Sequence, residues 1–205
     1  MKIDIARQPL VPAFMTLFAL AVAAMCAGIP VSDTSGAVRD ALPLLGGQLA
    51  RFQAAYPVWS KFAAGFMLLF TGMCAGRITI RYNLYTVGTC LPIPLYAIVA
   101  CGIATGGNYL AGFAASMLLS LATKNYCRAF CNGYGFDAIF RASLYLGLMP
   151  LIYAPALPLL LLLPLAVLLF RRTLREVAVA TAGLLLPVFT ACYVSWGTGA
   201  EFTAP

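Results

Sequence analysis

The thirteen lysines and arginines of this chain sort onto alternate sides of a series of uncharged apolar stretches, and few folds are compatible with that arrangement. The stretches cover residues 10–29, 62–76, 84–105, 109–122, 142–153, 156–170 and 177–196. Read as membrane crossings from a cytoplasmic N-terminus, they leave Lys2, Arg7, Arg77, Arg81, Lys124, Arg128, Arg141, Arg171, Arg172 and Arg175 inside. Only Arg39, Arg51 and Lys61 fall outside. Cytoplasmic loops of membrane proteins carry just such an excess of lysine and arginine. The expectation is an all-α fold: a polytopic membrane helix bundle of about seven transmembrane helices, forming a single integral domain over residues 1–205. Its N-terminus is cytoplasmic and its C-terminus periplasmic, in a bacterial inner membrane.

Composition argues against a soluble alternative. Apolar residues make up 62% and charged residues 9%, against roughly 45–50% and 25% in soluble domains. A net charge of +7 would point to nucleic acid if it formed a patch on a soluble surface. Here ten of the basic residues sit at the ends of apolar stretches, where they reach toward water and anionic lipid, so no nucleic-acid partner is expected. Cys26, Cys74, Cys90, Cys101 and Cys192 lie within apolar stretches and read as small apolar filler. Cys127 and Cys131 fall in a cytoplasmic loop at helical spacing, and with no histidine in the chain neither a metal site nor a cofactor is expected. The first stretch reads as a membrane anchor. A cleaved signal peptide is the alternative, opposed by an apolar run longer than the usual 7–15 residues and by Met25 before Cys26.

The segment 30–60 is the one sizeable extramembrane piece. Val38, Leu42, Leu45, Leu49, Phe52 and Tyr56 recur at helical spacing, while Arg39, Asp40, Gln48, Arg51 and Gln53 take the other faces. This predicts one or two amphipathic helices in the outer interface, with Tyr56 and Trp59 in the aromatic belt. Gly72 and Gly76, and Gly112 with Ser116 and Ser120, form small-residue stripes that allow close helix packing, within the bundle or in a homodimer through Gly72 and Gly76. Pro92 and Pro94 are expected to kink a crossing in mid-membrane. Pro150, Pro155 and Pro158 are expected to form a tight outer turn, Thr173 with Glu176 a capping box, and Pro187 a kink in the last helix.

Catalytic residue types are scarce, with six acids and no phosphate loop or nucleophile motif. Asp33, followed by Asp40 and Arg39, reads as a helix cap; as a general base or cation ligand it would face a lipid-phosphate donor. Asp137 and Arg141, four residues apart, read as a structural ion pair. Arg81 and Asn83, and on the outer side Arg39 and Asp40, are candidate contacts for lipid headgroups.

From Tyr109 onward the chain resembles an uncharacterised family of Bacteroidota inner-membrane proteins, a domain of unknown function. The resemblance rests on the order and spacing of Phe136-Asp137-Ala138, Leu148-Met149-Pro150-Leu151-Ile152-Tyr153-Ala154-Pro155, Arg171-Arg172 with Leu174-Arg175-Glu176, and Gly183-Leu184-Leu185-Leu186-Pro187. It implies a membrane bundle and a short member, since the family usually continues with further helices; it implies no catalytic residues. The layout is also loosely similar to that of polyprenyl-phosphate-dependent membrane glycosyltransferases, except that Asp33 is followed by Thr34 where those enzymes carry a second acid.

The leading functional expectation is an accessory, non-enzymatic component of cell-envelope biogenesis that binds membrane lipid or a lipid-linked glycan and partners another membrane protein or itself. The alternative is a glycosyl or related group transferase with Asp33 as base. A third class is a small-solute transporter, for which no inverted repeat is visible.

Overall fold

A computed structural model describes residues 10–26, 44–82, 90–104, 108–131, 135–162 and 173–198. Among them every regular element is helical. The α-helices are α1 (Leu10–Cys26), α2 (Leu44–Ala55), α3 (Pro57–Arg81), α4 (Pro92–Ala104), α5 (Tyr109–Cys131), α6 (Phe136–Ile152) and α7 (Leu174–Thr198), with a 3-10 helix at Ala154–Leu161. These seven do not map one to one onto the seven expected crossings. The amphipathic α2 is an addition, and of the expected crossing 156–170 only the part within the 3-10 helix and Leu162 is described. Two helices, over Pro57–Arg81 and Leu174–Gly197, are long and apolar enough to cross a membrane; a shorter apolar helix covers Val11–Ala23.

Prolines and backbone hydrogen bonds set most boundaries. The residue before a proline is pushed out of the helical region, so Tyr56, at φ −130° and ψ 70°, separates α2 from α3 by a single residue. Both helices are otherwise hydrogen-bonded to the break, with Tyr56 N–H donating to Phe52 O at 2.9 Å and Ser60 N–H to Tyr56 O at 2.9 Å. Pro57 opens α3, where its missing N–H costs no intrahelical bond. Residues 84–89 of the crossing expected to kink at Pro92 and Pro94 lie outside the described residues. Pro92 and Pro94 stand in the first turn of α4, which starts at Pro92, where the first amides of a helix have no intrahelical acceptor.

Two expected outlines shift for another reason. Charge ends an apolar run but does not end a helix, so α5 continues through Lys124 and Arg128 to Cys131, and Cys127 is helical. Likewise α3 takes in Lys61, Arg77 and Arg81. The expected proline turn is also rearranged. Pro150 lies inside α6, the chain turns at the extended Tyr153, and Pro155 and Pro158 fall within the 3-10 helix. At the start of α7, Thr173 N–H donates to Glu176 Oε2 at 3.3 Å, one half of the reciprocal capping pair.

By its contacts the chain divides into two compact units, one of Met1–Thr34 with Leu49–Ser120, the other of Ser35–Gln48 with Leu121–Pro205. The core of the first unit joins α1 (Ala13, Leu17, Ala21), α3 (Ala64, Leu68), α4 (Ile93, Ala97, Ala100) and the start of α5 (Tyr109, Leu110, Phe113). Gly72 and Gly76 of the small-residue stripe are both buried and face Leu17 and Ile93 of the same chain; Gly112 faces Ile103. In the second unit α6 lies along α7, with Ala138, Ile139, Ala180 and Leu184 packed beside Ala129. Large apolar side chains also cover the open faces: Val11, Met15 and Phe18 on α1, Leu95, Ile98 and Val99 on α4, and Leu185, Phe189 and Tyr193 on α7.

Candidate functional site

The residues singled out by sequence fare unequally. Asp33, Arg39, Asp40 and Asn83 lie outside the described residues, and with them the acid on which the transferase alternative turns. Arg81 is exposed in the last turn of α3, where a cation complements the helix dipole. Asp137 and Arg141 meet at the start of α6, Arg141 Nε donating to Asp137 Oδ1 at 3.0 Å, both side chains well exposed. Among the described residues no group of three or more histidine, cysteine or acidic side chains is placed to hold a metal. Cys74, Cys90, Cys127 and Cys192 are not joined in disulfides.

What the structure does bring together lies at the junction of α2, α3 and the N-terminus of α5. Gln53, expected on the solvated face of α2, is only 5% exposed. Its side-chain carbonyl accepts from the backbone N–H of Leu110 at 3.4 Å, which supplies one of the partners that the first turn of α5 lacks within its own helix. One turn into α3 the fully buried Ser60 hydroxyl lies 2.6 Å from the Tyr109 hydroxyl and donates to Pro57 O at 2.8 Å. A polar residue that caps a distant helix has the same sequence signature as one facing water, which is why the pattern misplaced Gln53. These bonds fix α2 and the start of α3 against α5.

On the open side of the same junction the aromatic residues form a surface. Phe52, Tyr56, Trp59, Phe62, Ala63 and Phe66 line an open apolar notch of about 570 Å³. Trp59 is 68% exposed, and Phe62 and Phe66 are similarly open. Their rings pair loosely, with Phe52 and Tyr56 centroids 5.6 Å apart, Trp59 and Phe62 6.4 Å, and Phe66 and Phe70 6.4 Å. The expected stripe along 38–56 is therefore divided. Leu45 and Leu49 are half-buried, Phe52 and Tyr56 open outward, and Val38 and Leu42 lie outside the described residues.

Other hydroxyls pair deeper in each unit. Tyr96 lies 3.1 Å from Ser116, and Thr71 is buried in the same unit. In the second unit Tyr126, beyond the apolar stretch that ends at Ala122, lies 3.4 Å from Ser143. Desolvation pushes the Tyr126 phenol above its ordinary range, and the bond to Ser143 partly opposes this.

No protein-family profile, curated protein or solved structure matches this chain.

Proposed function

We propose that this chain is a polytopic bacterial inner-membrane protein of seven crossings, N-terminus inside and C-terminus outside, acting as an accessory lipid- or lipid-linked-glycan-binding component of envelope biogenesis. The observation that carries the binding role is the aromatic notch. An apolar surface left open at the end of a membrane-length helix favours a lipid tail over a polar solute.

Several features support the membrane setting. At about 1.5 Å per residue, a 25-residue helix such as α3 or α7 reaches about 37 Å, against roughly 30 Å of bilayer hydrocarbon. Only 17% of the most apolar part of α7 is buried within the chain. With apolar side chains outside and Gln53, Ser60 and Thr71 inside, the pattern suits a hydrocarbon solvent better than water. In this topology Trp59 opens α3 and Trp196, 80% exposed, ends α7, both at the outer interface where such rings concentrate. The motif order from Phe136 to Pro187 supports placement with the uncharacterised Bacteroidota family.

The test combines topology with lipid retention. In a cysteine-free background, Ala55→Cys should react with an impermeant maleimide on intact cells, whereas Asn132→Cys and Leu174→Cys should react only after permeabilisation. Ala55 is used because the neighbouring Ser60 is fully buried. Outside labelling of Asn132→Cys would overturn the topology. Protein purified in mild detergent should carry bound lipid by native mass spectrometry and lose it in Phe62→Ser/Phe66→Ser. Unchanged lipid retention in that variant would overturn the binding role.

A further inference from the structure

Resting on the lipid-binding reading above, we propose that the aromatic notch seats a glycolipid with an uncharged sugar head. One tail lies against Phe62 and Phe66, and the sugar lies against Tyr56 and Trp59. The side chains that line the notch carry this assignment.

Their chemistry is graded. Trp59, Phe62, Ala63 and Phe66 share one face of α3, at positions i, i+3, i+4 and i+7, while Phe52 of α2 and Tyr56 at the break close the notch from above. In the topology proposed above α3 enters the membrane at Trp59, and Phe66 stands about 10 Å further along its axis at about 1.5 Å per residue. The two rings with a polar edge, Tyr56 and Trp59, therefore lie at the wet end, and Phe62 and Phe66, which have none, lie at the hydrocarbon end. Such an order matches an amphiphile with oxygens at one end and only hydrocarbon at the other.

No charged side chain lines the notch. A phosphate or ammonium seated there would give up water with no opposite charge in return. Sugar hydroxyls, in contrast, can accept from the Tyr56 O–H and the Trp59 indole N–H, and neither of these donors is engaged in a hydrogen bond among the described residues. The ring faces, negative at their centres, add contact for the C–H groups of a sugar ring.

The platform is also fixed from behind. Beside the open Phe52 and Trp59 stand the buried Gln53, accepting from Leu110 N–H at 3.4 Å, and the buried Ser60, 2.6 Å from the Tyr109 hydroxyl. The ligand does not have to order the two walls, which lowers the entropic cost of binding.

The chain has two tryptophans, and Trp59 lines the seat, so brominated lipids, which quench indole on contact, read the site directly. Protein carrying Trp196→Phe is placed in phosphatidylcholine nanodiscs doped with dibrominated glucosyl diacylglycerol, phosphatidylcholine or phosphatidylglycerol. Half-quenching of Trp59 should need about tenfold less of the glycolipid than of either phospholipid, the worth of one or two ordinary hydrogen bonds. Tyr56→Phe, which keeps the ring and loses the hydroxyl, should cut that preference to about threefold. The control is Trp59→Phe with Trp196 alone. Trp196 pairs with Tyr193 at 6.2 Å, so the same two residue types stand at the end of α7 outside the notch, and no preference is expected there. An equal preference at Trp196 would make it a property of any interfacial ring and overturn the seat. A preference of Trp59 for phosphatidylglycerol would overturn the uncharged head, and a full preference in Tyr56→Phe would overturn the contact with Tyr56. Equal quenching of Trp59 by all three lipids would overturn the sugar seat and leave the lipid-binding reading standing; quenching by none would overturn both.

Discussion

At Gly72, Gly76 and Gly112 the space that a Cβ would take is occupied by the methyl ends of Leu17, Ile93 and Ile103; at Gly147 and Gly183 it is occupied by the backbone carbonyls of Leu184 and Phe140. The first unit thus closes its helices by fitting side chains into glycine notches. The second closes α6 on α7 by bringing the two backbones together. The difference lies in what can yield. A leucine or isoleucine end can rotate by a few tenths of an ångström, whereas a carbonyl can retreat only if its whole helix moves.

The sharpest way to break this comparison is to add one methyl group on each side of it. Gly147→Ala would set its Cβ inside the contact radius of Leu184 O, and an overpacked backbone contact of this kind should cost about 3 kcal/mol. Gly183→Ala, 2.7 Å from Phe140 O, should follow closely. Gly72→Ala meets the end of the Leu17 side chain, its methyls at 2.7 and 2.8 Å and its Cγ at 3.3 Å, and recovers roughly 0.5–1 kcal/mol of helix propensity. Its net effect should stay within about 1 kcal/mol. Unfolding of the purified variants in mixed detergent would rank them, and Gly72→Ala as damaging as Gly147→Ala would end the distinction.

A smaller effect sharpens the picture of the first unit, which adds buried polar locks to its side-chain packing. Gln53→Met keeps the volume but removes the acceptor for Leu110 N–H, and Ser60→Ala leaves the buried Tyr109 hydroxyl without its partner at 2.6 Å. Each should cost about 1–2 kcal/mol, the usual consequence of a buried donor or acceptor left unmet. Gln53→Met with wild-type unfolding would show that Gln53 does not cap α5.

How much of this was legible in the sequence depends on whether the signal is local. The start of α7 could be read because Thr173 and Glu176 carry both halves of a capping signal within four residues. The Asp137 and Arg141 pair could be read because helical pitch alone sets it. The all-helical class followed from uncharged runs too long and too leucine-rich for strands. Gln53 could not be read, since its partner Leu110 is remote in sequence. Nor could the α6 and α7 contact, because Gly147 and Gly183 stand singly and make no small-residue stripe of the kind seen at Gly72 and Gly76. Helix ends were misjudged where hydropathy and helicity diverge, as at Lys124 and Arg128, which interrupt the apolar run but continue α5. Of the candidate site, the sequence singled out Tyr56 and Trp59 as belt residues and Phe52 as part of the amphipathic stripe, but not Phe62 or Phe66. Their gathering into a notch was not legible, because it depends on the single-residue break at Tyr56.

The smallest expected effect concerns the exposed counterpart of those buried locks. Asp137 and Arg141 meet at 3.0 Å, but their side chains are 69% and 59% exposed. Water and salt screen such a pair, so its coupling should be about 0.3–0.5 kcal/mol in a double-mutant cycle of Asp137→Asn and Arg141→Gln. Asp137 also stands in the first turn of α6, where a negative charge favours the helix dipole, so the single Asp137→Asn variant should lose slightly more than the cycle assigns to the pair. Both contributions should shrink in about 1 M salt, where the screening length falls to about 3 Å. The losses at Gly147 and Gln53 should not, since steric overlap and a buried hydrogen bond are not screened by ions. A coupling above about 1 kcal/mol, unchanged by salt, would mean that this end of α6 is shielded from water by something the chain alone does not supply.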